Sequence, residues 1–68
     1  MSTLTDALLT TEEVAKLLRV DPSTVRRWRT SRPVQGPPFI QMSERLTLYA
    51  PEDVRLWLSR RRVDPMAA

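Results

Sequence analysis

Apolar residues recur at helical spacing in three short stretches of the chain, and local signals mark where the stretches begin. Thr10 and Glu13 have the spacing of a capping box, in which each side chain accepts a hydrogen bond from the other residue's amide. The apolar stripe that follows consists of Val14, Leu17 and Leu18, with Ala15 on its flank. This pattern predicts a first helix over 11–18, with Glu12 and Lys16 paired on its polar face.

A second helix start follows after only a few residues. Asp21 is a good N-cap, and Pro22 suits the first helical position because no amide proton is needed there. This helix is predicted to run to about Ser31, since Pro33 disfavours helical geometry at Arg32. The short connection requires a tight turn between two steeply packed helices, which is typical of a helix-turn-helix.

The pattern then changes from helical spacing to two extended runs. Residues 33–38 form a proline-rich linker that suits neither a helix nor a central strand. Residues 39–42 and 46–49 are predicted to be two strands around a tip at 43–45. Such a hairpin next to a helix-turn-helix is a wing.

The side of the wing that faces the core has two possible assignments. Alternation of apolar and polar residues favours Leu46 and Leu48 on the inner side. Tyr49 fits the inner position equally well, and the two assignments exclude each other because neighbouring strand residues point to opposite faces.

A third helix is predicted from Pro51 onward, with two acids in its first turn, where the helix dipole favours negative charge. Its apolar stripe consists of Val54, Trp57 and Leu58. Leu56 points away from this stripe. We interpret Trp28 and Trp57 as core residues, because each falls on the apolar side of its helix. The arginines at 60–62 suit the negatively polarised end of the helix.

These elements predict a fold that is mainly α with a small β-hairpin. The architecture is a winged helix-turn-helix with three short helices and a two-stranded wing. A winged helix-turn-helix is a DNA-binding type of domain, and here it is expected to cover 9–60. A flexible lead is expected at 1–8 and a loose tail at 61–68.

Composition excludes several classes of site. The 68 residues contain no histidine, no cysteine and one glycine, Gly36. Zinc sites, thiol or histidine catalysis, disulfides and glycine-rich phosphate loops are therefore excluded. The acids are placed largely as helix caps, and no apolar run reaches the roughly 18 residues of a membrane span. We expect a protein without catalytic residues, cofactor, metal or membrane association.

Positive charge is concentrated at the second helix. Ten of the eleven cations are arginine, the residue that makes bidentate contacts to phosphate and guanine. Four of them lie between Pro22 and Pro33 with no acid among them: Arg26, Arg27, Arg29 and Arg32. On charge alone, a solvated arginine-rich face explains this cluster as well as a polyanionic partner does.

The arrangement of the second helix favours the polyanionic partner. Val25 and Trp28 lie on one side, and the opposite side is polar, positive and free of acid. That opposite face consists of Ser23, Arg26, Arg27 and Thr30. Hydroxyls and guanidiniums are the groups that read base edges and bind phosphates. The sequence therefore predicts that this face enters the major groove of double-stranded DNA.

We predict major-groove contacts from Ser23, Thr24, Arg26, Arg27 and Thr30. Arg26 and Arg27 are the strongest candidates, and each contact is to a base or to a phosphate. Flanking phosphates are predicted to be contacted by Arg29, Arg32 and Arg45. At the wing tip, Arg45 lies beside Glu44, which phosphates would repel.

Several motifs in this order resemble those of the excisionase family. The resemblance rests on LTTEEVAKLL at 9–18, Val20, STVRRW at 23–28, GPPFI at 36–40, Tyr49 and DVRLWL at 53–58. Excisionases, or recombination directionality factors, have a winged helix-turn-helix related to the DNA-binding domains of MerR-type regulators. In this sequence Arg19 stands where the family often has glycine, so we expect it to adopt a left-handed conformation. The wing tip is also less basic than is usual in the family.

The resemblance implies a protein encoded by a phage or mobile element. Such a protein binds an attachment site in several neighbouring copies, bends the DNA and directs an integrase toward excision, without recombinase activity of its own. It would work in the host cytoplasm, associated with the nucleoid.

Two other functions fit the same sequence. A small transcriptional regulator would use the same fold and the same DNA-docking surface. A protein-interaction module would present the arginines to an acidic protein, although interaction helices more often carry aromatic or aliphatic anchors.

Overall fold

The computed structural model describes residues 7–66 and contains three helices and a small antiparallel sheet. The elements follow the chain as β1 (Leu9–Thr10), α1 (Thr11–Leu18), α2 (Pro22–Thr30), β2 (Ile40–Gln41), β3 (Thr47–Tyr49) and α3 (Pro51–Arg61). The predicted fold class, a winged helix-turn-helix, is confirmed. Residues 1–6 of the predicted lead and 67–68 of the predicted tail lie outside the described residues, and the division at 9 and 60 stays a prediction.

Helix α1 begins and ends with the local signals that the sequence carries. The Glu13 amide donates to Thr10 Oγ1 at 3.1 Å, and the Thr10 amide donates to Glu13 Oε1 at 2.8 Å, which completes the predicted capping box. At the other end Arg19 is left-handed, as expected, with a φ of 59°. The Val20 amide then donates to the Ala15 carbonyl at 2.9 Å, which turns the chain sharply toward α2.

Helix α2 begins at Asp21, whose side chain caps it. Asp21 Oδ1 accepts from the Ser23 amide at 2.9 Å and from the Ser23 hydroxyl at 2.8 Å. These two hydrogen bonds stabilise the carboxylate and hold the pKa of Asp21 below its ordinary value. The helix ends at Thr30, one residue before the predicted limit, with Ser31 as its C-cap.

The linker after α2 folds back onto the helix that precedes it. The Gln35 amide donates to the Trp28 carbonyl at 2.9 Å. Gly36 follows with a φ of +82°, and a Cβ atom at this position would lie 2.8 Å from Trp28 Cε3. Glycine is required here for two reasons, the left-handed backbone and the close approach to the indole.

The wing belongs to a three-stranded sheet in which β3 is central, in the order β1-β3-β2. Leu9 lies opposite Tyr49, and Ile40 lies opposite Leu48, both in antiparallel pairs. Strands β2 and β3 are shorter than the predicted runs 39–42 and 46–49. The two-residue strand β1, which the sequence pattern did not indicate, places the start of α1 beside the wing.

The core is small and receives side chains from every helix and from the sheet. Its fully buried members are Val14, Ala15, Val25, Tyr49 and Val54. Half-buried side chains surround them, namely Leu9, Leu18, Val20, Trp28 and Phe39. One short wing strand therefore packs against the centre of the helix-turn-helix through Tyr49.

Two predicted core residues, Leu17 and Leu58, are wrong, and the structure excludes one of the two possible assignments of the wing, the one with Leu46 on the inner side. Leu17, Leu46 and Leu58 are exposed to 59%, 46% and 43% respectively. In α1 the buried side runs through 11, 14, 15 and 18, so that Ala15 is central and Leu17 lies on the flank. In the wing Tyr49 takes the inner position, which excludes Leu46 because residues an odd number apart point to opposite faces.

Helix α3 is rotated relative to the prediction, and this rotation explains Leu58. Its less exposed positions are 53, 54 and 57, so the stripe passes through Asp53 instead of Leu58. Leu56 points away from this stripe as expected, and is 50% exposed. Trp57 is half-buried and packs against Trp28, with 5.7 Å between the ring centroids. The two tryptophans therefore extend the core at its margin.

Candidate nucleic-acid interface

The outer side of α2 presents the polar face that the sequence predicts. Ser23, Arg26, Arg27 and Thr30 are all exposed, whereas Val25 on the opposite side is fully buried. Burial of Val25 fixes the rotation of the helix about its axis, and this rotation determines which residues face outward. Thr24 is half-buried beside this face.

The two hydroxyls of this face donate their protons within the protein. The Ser23 hydroxyl donates to Asp21 Oδ1, and the Thr30 hydroxyl donates to the Arg27 carbonyl at 3.1 Å. In this arrangement each oxygen retains lone pairs but no free proton. In this arrangement the two hydroxyls can accept from the amino groups of adenine or cytosine, and the guanidiniums of Arg26 and Arg27 are the donors of this face to guanine or phosphate.

Arg26 and Arg27 are neighbours in sequence but differ in their environment. Arg26 Nη2 donates to Glu12 Oε2 of α1 at 2.7 Å, in a pair whose side chains are 52% and 63% exposed. The Arg27 side chain has no hydrogen-bond or ion-pair partner among residues 7–66. Arg27 therefore offers its complete set of donors to the solvent, whereas Arg26 shares one terminal nitrogen with a carboxylate.

Arg29 directs part of its guanidinium into the protein. Its Nη1 donates to Thr11 Oγ1 at 2.9 Å and to the Tyr49 hydroxyl at 3.2 Å. Its Cζ lies 6.0 Å from the centroid of the Phe39 ring. This network joins the start of α1, the middle of α2 and the wing strand β3, so Arg29 has a structural role that the sequence did not indicate. Its predicted contact with a flanking phosphate stays a prediction.

A polar cleft opens between α2, the start of α1 and the wing. Three of the predicted DNA-binding arginines line it together: Arg26, Arg29 and Arg45. The remaining lining residues are Thr10, Thr11, Glu12, Leu46 and Thr47. The structure therefore gathers arginines from two separate stretches of the sequence on one side of the molecule.

Arg32 is not part of this cleft. It lies beyond the end of α2, is exposed, and donates from Nη1 to the carbonyl of Ser31 at 3.3 Å. Arg32 therefore lies next to the C-terminal end of the α2 face, whereas Arg45 lies at the tip of the wing.

Three residues at the interface were missed by sequence reasoning. Thr11 and Tyr49 hold Arg29, and Glu12 accepts from Arg26 in place of the predicted pair with Lys16. The spacing of Glu12 and Lys16 was a local signal, but the angle between α1 and α2 brings Arg26 within reach. Acidic residues in a neighbouring helix are the signal that could have indicated this contact.

Within residues 7–66, the acidic side chains form no group that could hold a metal ion. No helix in this range is long and apolar enough to cross a membrane.

Comparison with known proteins identifies a family for this architecture. Residues 8–62 match the family described as "Helix-turn-helix domain". No curated protein and no solved structure matches the chain significantly. The family match includes all three helices and the wing, and the family is generally non-enzymatic. The chain therefore belongs to the helix-turn-helix domain family and is a sequence-specific DNA-binding protein.

Proposed function

We propose that this protein is an excisionase, a recombination directionality factor encoded by a phage or mobile element. It binds an attachment site in several neighbouring copies, bends the DNA and directs an integrase toward excision. The family to which the chain belongs includes excisionase-like proteins, and the quoted motifs from Leu9 to Leu58 support this subgroup. The protein would act in the host cytoplasm, associated with the nucleoid.

The observation that carries the proposal is the exposed α2 face beside the arginine-lined cleft. Helix α2 enters the major groove, and Arg27 and Arg26 contact bases or phosphates there. Ser23, Thr24 and Thr30 border this contact, with the hydroxyls of Ser23 and Thr30 as acceptors. Arg32 and Arg45 contact phosphates on either side of the groove, and Arg29 adds a phosphate contact with the nitrogens that do not face Thr11.

A small transcriptional regulator remains the alternative, because it would dock on DNA through the same surface. The two functions differ in where the protein binds and in the effect that binding has. An excisionase binds within an attachment site and stimulates excision, whereas a regulator binds at a promoter and changes transcription.

The first experiment identifies the DNA target. Selection from a random duplex library yields a preferred sequence, and gel-shift titration then compares it with a scrambled duplex of equal length and composition. Discrete stepwise shifts that resist the scrambled competitor support site-specific binding in several copies. Absence of any shift at low salt would contradict DNA binding and assign the arginines to an acidic protein partner.

The second experiment separates the two DNA-binding functions. A plasmid carrying the selected sequence within an attachment site is incubated with the integrase encoded nearest to this protein, with and without the protein. Stimulated excision, together with altered mobility of circularly permuted fragments, supports the proposal. Binding without stimulation, combined with an effect on a promoter reporter, would favour the regulator.

A further inference from the structure

Glu12 lies on the wall of the arginine-lined cleft, at the second position of α1. Its Oε2 accepts from Arg26 Nη2 at 2.7 Å, which brings a carboxylate against one of the two arginines predicted to read DNA. A carboxylate at a DNA-docking surface is repelled by phosphates. The Glu12 carboxylate therefore lowers the affinity of the protein for DNA of any sequence.

Stability of the free protein does not account for this carboxylate. Both side chains are about half exposed, and exposed ion pairs stabilise proteins little. A negative charge near the start of a helix is favourable, but Glu13 already supplies one in the capping box of α1. Lys16 also lies one turn from Glu12 and would serve as an ordinary surface partner.

The geometry points instead to an effect on Arg26. Glu12 occupies one terminal nitrogen and leaves the other nitrogens of the guanidinium for a second partner. The hydrogen bond limits the directions that the long side chain can take, and the nearby carboxylate offsets its positive charge. These two effects weaken contacts of Arg26 with phosphates, which are present in DNA of every sequence. A base edge at the correct position can still accept a hydrogen bond from Arg26.

We propose that Glu12 is a specificity-determining residue, which positions Arg26 for a base and weakens binding to non-target DNA. The inference rests on the proposed docking of α2 in the major groove. It makes Glu12 a residue that acts through Arg26 and not a contact to DNA in its own right.

The test compares Glu12→Gln with the wild-type protein. Glutamine has the same shape and retains an acceptor, but it removes the charge. Affinities are measured for the selected duplex and for the scrambled duplex between 50 and 200 mM salt. We expect the variant to bind scrambled DNA several-fold more tightly, with a log–log salt slope steeper by about 0.9, as one additional phosphate contact gives.

The change in salt slope also predicts how the variant's increase in affinity for scrambled DNA depends on salt. One additional phosphate contact makes the gain about threefold larger at 50 mM than at 200 mM salt. Affinity for the selected duplex should rise less, so that the ratio of specific to non-specific affinity falls. Thermal unfolding of the two proteins should be similar, because the exposed pair contributes little.

Glu52→Gln is the matched control. It changes the net charge equally but lies in the first turn of α3, outside the cleft. In an Arg26→Ala background, Glu12→Gln should no longer change the salt slope. Equal effects of Glu12→Gln and Glu52→Gln, or a persistent effect without Arg26, would overturn the inference. Failure of the wild-type protein to bind either duplex would instead overturn the proposed function. Binding of the wild-type protein is therefore measured before any variant is compared.

Discussion

Arg29 directs one terminal nitrogen toward Thr11 and Tyr49, whereas Arg27, two residues earlier, faces solvent. The two residues have the same chemistry and lie on the same helix. Their positions differ by about 200° around the helix axis, since each residue advances by about 100°. This rotation alone separates an arginine that holds other parts of the fold from one whose donors all face solvent.

Arg27→Ala should weaken binding without changing stability. Because the side chain has no partner within residues 7–66, its removal leaves the fold intact. If Arg27 contacts a base, affinity for the selected duplex falls by about 1–3 kcal/mol and specificity relaxes at one position. If it contacts a phosphate, all duplexes are weakened alike and the salt slope decreases by about 1.

The control for this variant is Arg55→Ala, which removes the same charge from an exposed position on α3. Gel-shift titration and thermal unfolding are measured for both proteins. Equal affinities of the two variants would show that Arg27 acts only through net charge. Unchanged affinity of both Arg26→Ala and Arg27→Ala would remove α2 from the interface.

Tyr49→Phe should weaken the junction of wing and helix-turn-helix. The change deletes one hydroxyl that accepts from the charged Arg29, and hydrogen bonds to charged groups contribute about 1.5–3 kcal/mol. We expect a loss at the lower end of this range, because Nη1 keeps its shorter hydrogen bond to Thr11. Urea unfolding provides the measurement.

A double-mutant cycle tests whether the loss arises from this contact. In an Arg29→Met background, Tyr49→Phe should have a much smaller effect on the free energy of unfolding. An undiminished effect would mean that the hydroxyl stabilises the protein through another group.

At the scale of elements, the sequence predicted the helices better than the strands. The starts of α1 and α2 are marked by Thr10, Glu13, Asp21 and Pro22, whose hydrogen bonds and backbone angles depend on neighbours within three residues. Strand β1 has only two residues and exists through pairing with β3, far along the chain. A pattern of neighbouring residues therefore cannot indicate that β1 pairs with β3.

The cap of α2 gives a prediction for pH dependence. The pKa of Asp21 is lower in the folded protein than in the unfolded chain, mainly through the hydrogen bonds from Ser23. Its stabilising contribution is therefore complete above the unfolded pKa and is lost as pH falls through the folded pKa. Asp21→Ala should lower Tm near pH 7, and the difference from wild type should narrow below about pH 4.

Asp21→Asn serves as the control, because asparagine caps helices about as well but does not titrate in this range. Circular dichroism monitors thermal unfolding of the three proteins between pH 2 and 7. A wild-type-to-alanine difference that stays constant with pH would contradict a role for the ionised carboxylate.

At the scale of the whole molecule, the candidate site was only partly predictable. The outward face of α2 could be derived from the helical period, because Val25 and Trp28 identify the opposite side. The cleft could not, since it depends on how the wing and α1 are placed beside α2. The contact of Glu12 with Arg26 and the inner position of Tyr49 depend on the same placement.

Gly36→Ala should disturb how the linker and α3 join the rest of the domain. A left-handed backbone costs an L-residue about 1–2 kcal/mol, and the new methyl group would also press against Trp28. We expect a loss of at least about 1 kcal/mol in the free energy of unfolding and a change in tryptophan fluorescence. Gln35→Ala, next to it and exposed, should have little effect on either measurement, and equal losses in both variants would contradict this account.

The inward contacts of Arg29 also define which positions could be changed to give the protein a new target. A library that varies 23, 26, 27 and 30 alters the outward surface of α2 and leaves the buried side intact. A library that also varies 29 would remove the guanidinium that holds Thr11 and Tyr49, so many of its members would be lost to unfolding before their DNA preference could be selected. Under the proposed docking of α2, retargeting would therefore vary the four exposed positions of this face and keep arginine at position 29.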